Sequence, residues 1–244
     1  MTIHQIPEPA IVAELGPCLV INKPGGLLTQ GPPGIDSLEF RIKNFLKIRE
    51  SKPGKVYLGV PHRLDRPASG IMIFAKHVRA AKRLADQFQN RTIQKTYWAV
   101  VSGEVEQENG TWTDWMRKLP DEAKSEICQE EDDGSQKAVL RYQVKQRLSG
   151  RTWLEIHLET GRTHQIRLQS GSRGLPILGD TLYGSELTFG PQTLDQRKKW
   201  IALHSRTIGF EHPMTKEAHQ IDAPLSHYWR DLKIDYFGDY VEHQ

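Results

Sequence analysis

Two short alternating stretches constrain the fold more than any other feature of this chain. Ala138, Leu140, Tyr142 and Val144 alternate with polar residues, and Leu154, Ile156 and Leu158 do the same. A period of two marks a strand with one buried face. Ser149-Gly150 lies between the stretches, so a β-hairpin is predicted. Strands paired in this way, with no helix between them, argue for an antiparallel or mixed sheet.

The remaining elements fit around that sheet. Cys18-Leu19-Val20-Ile21 reads as a short buried strand, and Lys23-Pro24-Gly25-Gly26 as the turn after it. Asp36 or Ser37 can cap a helix whose apolar positions are Leu38, Ile42, Phe45 and Leu46. Val78, Ala81, Leu84, Ala85 and Phe88 mark an amphipathic helix from about His77 to Gln89, with Arg79, Lys82 and Arg83 outward. Residues 96–101 read as a strand by their β-branched and aromatic content. Residues 104–136 look least regular. They hold Trp112 and Trp115, which would pack in the core, cover the sheet edge or stack on a base, and the acidic turn Glu130-Glu131-Asp132-Asp133-Gly134. A short helix or bend is predicted over 163–168 and a strand over 200–204, and residues 222–224 close the last clear element.

The chain has 244 residues, enough for one large domain or two small ones. Its 33 basic and 30 acidic residues leave a net charge of only +3, so any polyanion must meet positive charge gathered on one face. Cys18 and Cys128 are far apart and belong to no C-x-x-C pair, which leaves a disulfide framework or a zinc knuckle unsupported. The histidines form no H-E-x-x-H or similar pattern, so no metal and no cofactor is expected. With no long apolar run and no signal pattern, the reading is a cytoplasmic chain without a membrane partner.

The chemistry-bearing stretch is His62-Arg63-Leu64-Asp65-Arg66-Pro67-Ala68-Ser69-Gly70. It runs into Ile71-Met72-Ile73-Phe74-Ala75, which reads as a buried strand, and residues 57–61 before it read as another. A carboxylate between two arginines thus stands on a short loop held by rigid strands, an arrangement suited to chemistry. The same residues would also serve as a structural ion pair of Asp65 with Arg63 or Arg66.

His62-Arg63-Leu64-Asp65 followed by Ser69-Gly70 resembles the central motif of the RluA-like pseudouridine synthases of ribosomal and transfer RNA. Further stretches resemble that family in the same order: Asn22-Lys23-Pro24-Gly25-Gly26-Leu27, residues 94–103, residues 160–167, Gly179-Asp180-Thr181-Leu182-Tyr183-Gly184, Leu203-His204-Ser205 and Phe210-Glu211-His212-Pro213. Ala68 stands where the family usually has Thr. The resemblance implies a single α+β catalytic domain over 11–225, with a mixed, mainly antiparallel central sheet flanked by helices and an active-site cleft across it. Residues 1–10 would be a loose lead-in and 226–244 a C-terminal extension. The pattern starts close to Met1, so the catalytic domain itself is expected to grip the RNA, and no obligatory protein partner is evident.

The reaction it implies is the isomerisation of uridine to pseudouridine, which needs neither a redox cofactor nor a metal. Asp65 is the implied nucleophile, able to add to C6 of the base or C1′ of the sugar, or to drive formation of a glycal. Arg167 is implied as the cation that keeps Asp65 ionised, since an adjacent guanidinium lowers a carboxylate pKa. Tyr97 is implied to stack on the uracil, and its hydroxyl could help remove the C5 proton. Arg63 resembles the residue that wedges into the gap left by a flipped base. His62 would assist or pack. Lys23 and Lys95 would contact phosphates, with Lys23 able instead to pin its own loop. The alternatives are a non-catalytic RNA-binding or assembly protein on the same fold, and a hydrolase using Asp65 or Ser69. The second lacks G-x-S-x-G.

Overall fold

The computed structural model describes residues 6–242. In chain order the strands are β1 (Ile11–Leu15), β2 (Cys18–Lys23), β3 (Ser69–Ala75), β4 (Gln94–Ser102), β5 (Asn109–Lys118), β6 (Ser125–Cys128), β7 (Gln136–Leu148), β8 (Arg151–Leu158), β9 (Leu203–Glu211), β10 (Ala218–Asp222), β11 (Leu225–Ser226) and β12 (Tyr240–Val241). The helices are α1 (Leu38–Arg49), α2 (Val78–Gln89) and α3 (Gln165–Gly171). Most of the sheet is antiparallel and helices are few, which is the α+β class the sequence predicts.

The chain divides into two compact units. The first holds the residues up to Gln94, Ser205–Ser226 and the segment from Asp239; the second holds Lys95–His204 and His227–Gly238. Residues 1–5 of the predicted lead-in lie outside the described residues. Ala10 is tied down, because its carbonyl accepts from the Asn22 N–H at 2.9 Å. The predicted C-terminal extension is shared between the units. Its Trp229 has no exposed surface and its ring meets Phe189 edge-on at 5.5 Å in the second unit, while β12 pairs with β11 in the first.

In the first unit the sheet runs β1-β2-β3-β9, with β10 on β9. β2 is buried throughout and lies antiparallel to β3, from Cys18 opposite Ala75 to Lys23 opposite Gly70. Val20, Ile71, Ile73, Leu84, Ile208 and Phe210 share one core, to which α2 adds Ala80 and Leu84. Burying such side chains supplies roughly 1.5–3 kcal/mol each. Arg83, expected to face outward, is half-buried and donates to the Pro213 carbonyl at 2.6 Å. Ser37 is the cap of α1: its side chain accepts from the Phe40 N–H at 3.3 Å, while Asp36 forms a two-pronged pair with Arg41. The predicted strand over residues 57–61 is only one antiparallel bridge, Gly59 with Ala75.

In the second unit the order is β4-β8-β7-β5-β6, antiparallel throughout. The predicted hairpin is β7–β8, with Leu148 opposite Arg151. Residues 104–136, expected to be irregular, contain β5 and β6. Trp112 is buried there and tilts onto Tyr142 at 4.9 Å between ring centres, so it packs. The acidic run is the turn between β6 and β7, where Asp132 accepts from the Gln129 N–H at 2.9 Å.

Candidate active site

Asp65 stands on the loop between the Gly59 bridge and β3, half-buried. Its own carbonyl accepts from the Ala68 N–H at 3.2 Å, closing a turn over Arg66 and Pro67. One hydrogen bond and one ring stack further fasten the loop to its surroundings. The Ile73 N–H donates to His62 Nε2 at 3.0 Å, and the His62 ring stacks on Phe88 at 4.4 Å. The His62 ring thus packs against α2.

Downstream, Gly70 holds the loop's exit. Its φ is +116°, and a Cβ there would lie 2.3 Å from the Ser205 carbonyl oxygen. Only glycine meets both demands, a positive φ and a backbone neighbour at that distance. Gly70 lies within β3, where β9 approaches.

Lys23 corrects the expectation of a phosphate contact. It has no exposed surface. Its ammonium donates to the carbonyls of Pro24 at 2.9 Å, Leu27 at 2.8 Å and Arg66 at 3.2 Å. All three of its protons are thereby engaged. Burial pushes its pKa down to about 7, opposed by the negative charge of Asp65 and assisted by the positive charge of Arg66. So within this unit a buried cation feels the Asp65 carboxylate, and it also holds the backbone of the residue after it.

Thr29 was missed by sequence reasoning. It is buried, and its hydroxyl donates to the Leu64 carbonyl at 2.9 Å and accepts from the Leu64 N–H at 3.2 Å. Residues 28 and 29 are anchored in turn by α1, whose first N–H groups, Leu38 and Glu39, donate to the carbonyls of Leu28 and Thr29 at 2.8 and 3.0 Å. Those donors would otherwise lack a partner at a helix start. Arg63, one residue before Leu64, is exposed.

The other predicted site residues belong to the second unit. Tyr97 lies in β4 opposite Ile156 of β8, with 6% of its surface exposed. Lys95 is two residues earlier, hence on the same face, and its ammonium lies 5.8 Å from the Tyr97 ring centre. Arg167 is buried on α3 and gripped by Asp180, from Nε to Oδ2 at 2.6 Å and from Nη2 to Oδ1 at 2.8 Å. A bidentate pair of this kind fixes the plane of the guanidinium. Its face lies 5.2 Å from the Tyr183 ring, whose hydroxyl is 2.9 Å from His164 Nδ1 and accepts from the Ser125 N–H at 3.0 Å. The helix that carries Arg167 is itself tethered: Gln165 donates to the Val139 carbonyl at 3.1 Å and Gln169 to Asp114 at 2.7 Å. Asp180 was not singled out from sequence, although it stands in one of the stretches that carry the resemblance.

Among the described residues, no group of three or more His, Cys, Asp and Glu side chains is placed to hold a metal ion, and no helix is long and apolar enough to cross a membrane. The first unit offers a carboxylate on a doubly anchored loop with a buried cation beside it; the second offers a buried strand tyrosine and a fixed guanidinium.

Comparison with known proteins bears on that inventory. The profile of the family described as RNA pseudouridylate synthase matches residues 17–171. The ribosomal large subunit pseudouridine synthase D of Xanthomonas campestris pv. campestris is 35% identical over 214 residues, 85% of this chain and 63% of that protein. The RNA pseudouridine synthase YhcT of Bacillus subtilis is 32% identical over 242 residues, 97% of this chain and 75% of its own. The chain spans between 63% and 66% of the length of three of its curated relatives. In fold it is similar to the solved structure titled Human RNA Pseudouridylate Synthase Domain Containing 4, with a TM-score of 0.73 at 23% identity, covering 91% of this chain and 90% of that one.

Proposed function

Since this chain belongs to the RNA pseudouridylate synthase family, we propose that it isomerises uridine to pseudouridine in RNA with Asp65 as the nucleophile. The observation that carries the reading is the fixed loop around Asp65, inside the span that matches the family profile. An attacking carboxylate must be held within a fraction of an ångström of a line to its target, and a loop pinned on both sides meets that need.

The reaction cleaves the N1–C1′ bond, turns the base, joins C5 to C1′, and exchanges the C5 proton for one on N1, so atoms and electrons balance without a co-reactant. Asp65 supplies the electron pair, to C6 or to C1′, or takes the sugar proton on the glycal route. Tyr97 offers its ring to the uracil; such stacking contributes about 1–3 kcal/mol per base. Arg167 is assigned a catalytic role as a fixed positive charge, held in plane by Asp180. Arg63, exposed beside the loop, is the residue that enters the stack when the uridine is extruded. Lys95 contributes positive charge for phosphates.

We further infer that the RNA is ribosomal, because relatives at 31–35% identity carry the name ribosomal large subunit pseudouridine synthase. The test is to incubate the purified chain with unmodified transcripts of large-subunit ribosomal RNA and of transfer RNAs, then map pseudouridine and strand breaks. Pseudouridine at a discrete ribosomal site is the expected result. Binding with no isomerisation would favour the non-catalytic reading, and strand cleavage would favour a hydrolase.

A further inference from the structure

Given that Asp65 is the nucleophile, we propose that Lys23 and Thr29 are positioning residues that clamp the Asp65 loop from its two flanks. The residue before Asp65 and the residue after it are each held by a side chain from one short segment. Thr29 takes both backbone groups of Leu64, at 3.2 and 2.9 Å. Lys23 takes the Arg66 carbonyl at 3.2 Å.

The clamp is rigid because its own base is fixed. Lys23 ends β2 opposite Gly70 of β3, so it leaves the sheet at the point where the loop enters it. Its other two bonds, to Pro24 and Leu27, close the turn that leads to Thr29. Thr29 is held by the start of α1 through its carbonyl, and Met72 Sδ lies 3.7 Å from its hydroxyl. Both side chains are buried, with Thr29 at 3% and Lys23 at 0% exposure, so neither reaches an RNA phosphate. A buried ammonium among three carbonyls is a costly device for closing a turn alone. Its placement also sets a positive charge beside Asp65, whose carboxylate acts on it in return.

A clamp of this kind acts on the chemical step and not on RNA affinity. Thr29→Val keeps shape and volume but strips the hydroxyl from both Leu64 groups, and Thr29→Ser keeps the hydroxyl. Lys23→Met keeps the stem and removes the charge and the donors. The experiment measures the single-turnover rate of pseudouridine formation and the RNA Kd on the same preparations, using unmodified large-subunit ribosomal RNA transcript, with a melting curve to confirm folding. We expect Thr29→Val and a folded Lys23→Met to lose about ten- to a hundred-fold in rate, with Kd unchanged and Thr29→Ser restored. A folded Thr29→Val at wild-type rate, or a Thr29→Ser as slow as Thr29→Val, overturns the clamp. So does a loss in Kd equal to the loss in rate, which would make these residues RNA contacts. If Lys23→Met does not fold, the Thr29 pair decides alone. A wild-type chain that makes no pseudouridine overturns instead the reading on which the clamp rests.

Discussion

Asp180 grips the Arg167 guanidinium through two parallel bonds in a place where neither side chain keeps more than 5% exposure. A pair so deeply buried is worth little against an apolar replacement, but much against the loss of one partner. Asp180→Asn should therefore cost about 3–5 kcal/mol of stability, while the double substitution Arg167→Met with Asp180→Leu should cost less than Asp180→Asn alone. Urea unfolding of the wild type and the variants checks this. A loss below about 1 kcal/mol for Asp180→Asn would place the pair among ordinary surface bridges.

Asp65→Asn should abolish turnover and leave RNA affinity intact, because the amide has nearly the same size but no charge. It should also have a pH-dependent cost in stability. Removing the negative charge beside Lys23 takes away the one influence that raises the Lys23 pKa. The penalty is greatest where Lys23 is still charged, so the melting temperature of Asp65→Asn should fall further below wild type at pH 6 than at pH 9. A folded variant that still forms pseudouridine would remove Asp65 from the mechanism.

Lys23 itself gives a sign-definite test. In the unfolded chain it keeps its proton up to about 10.5, and in the folded chain only to about 7. Between those values the unfolded chain holds more protons, so stability rises with pH. Lys23→Met has no such group. The gap between wild type and Lys23→Met should move in favour of wild type from pH 7 towards pH 10.5, by at most about 1.4 kcal/mol per pH unit. Denaturant unfolding at pH 6, 7.5 and 9 reads it, and a gap that stays flat across that range would contradict the buried charge.

RNA binding should be salt-dependent but moderate. With a net charge of +3 the phosphate contacts come from a local group of cations, not from the whole surface. Each should add about 0.7–0.9 to the slope of log affinity against log salt. Substituting Lys95 by Ala should reduce that slope by roughly one contact, whereas Lys23→Met should leave it unchanged. Filter binding across salt concentrations distinguishes the two.

Elements built from local signals were legible in the sequence. The β7–β8 hairpin follows from its alternation, β2 and β3 from their apolar runs, and the start of α1 from Ser37. β5 was not legible, since its burial does not alternate cleanly and it contains Gly110. A Cβ at Gly110 would lie 2.7 Å from the Tyr142 hydroxyl, so the glycine serves a ring that packs across from β7. β9 was seen only at its first residues because it buries His204 and Ser205, which no hydrophobic pattern reveals. The site shows the same division. The Asp65 loop could be read from its own residues, but its hold by Thr29 joins positions 35 residues apart, and no local periodicity carries such a bond.

A lysine whose pKa lies near neutrality is ordinarily the one that acylating reagents find first, since more of it is unprotonated. Lys23 inverts that rule, because its amine is sealed from solvent. Reagent can reach it only while the turn after β2 has lifted away from the Asp65 loop. The labelling rate of this single amine, followed by mass spectrometry, is therefore a clock for local opening at that point, separate from the slower unfolding of the whole chain.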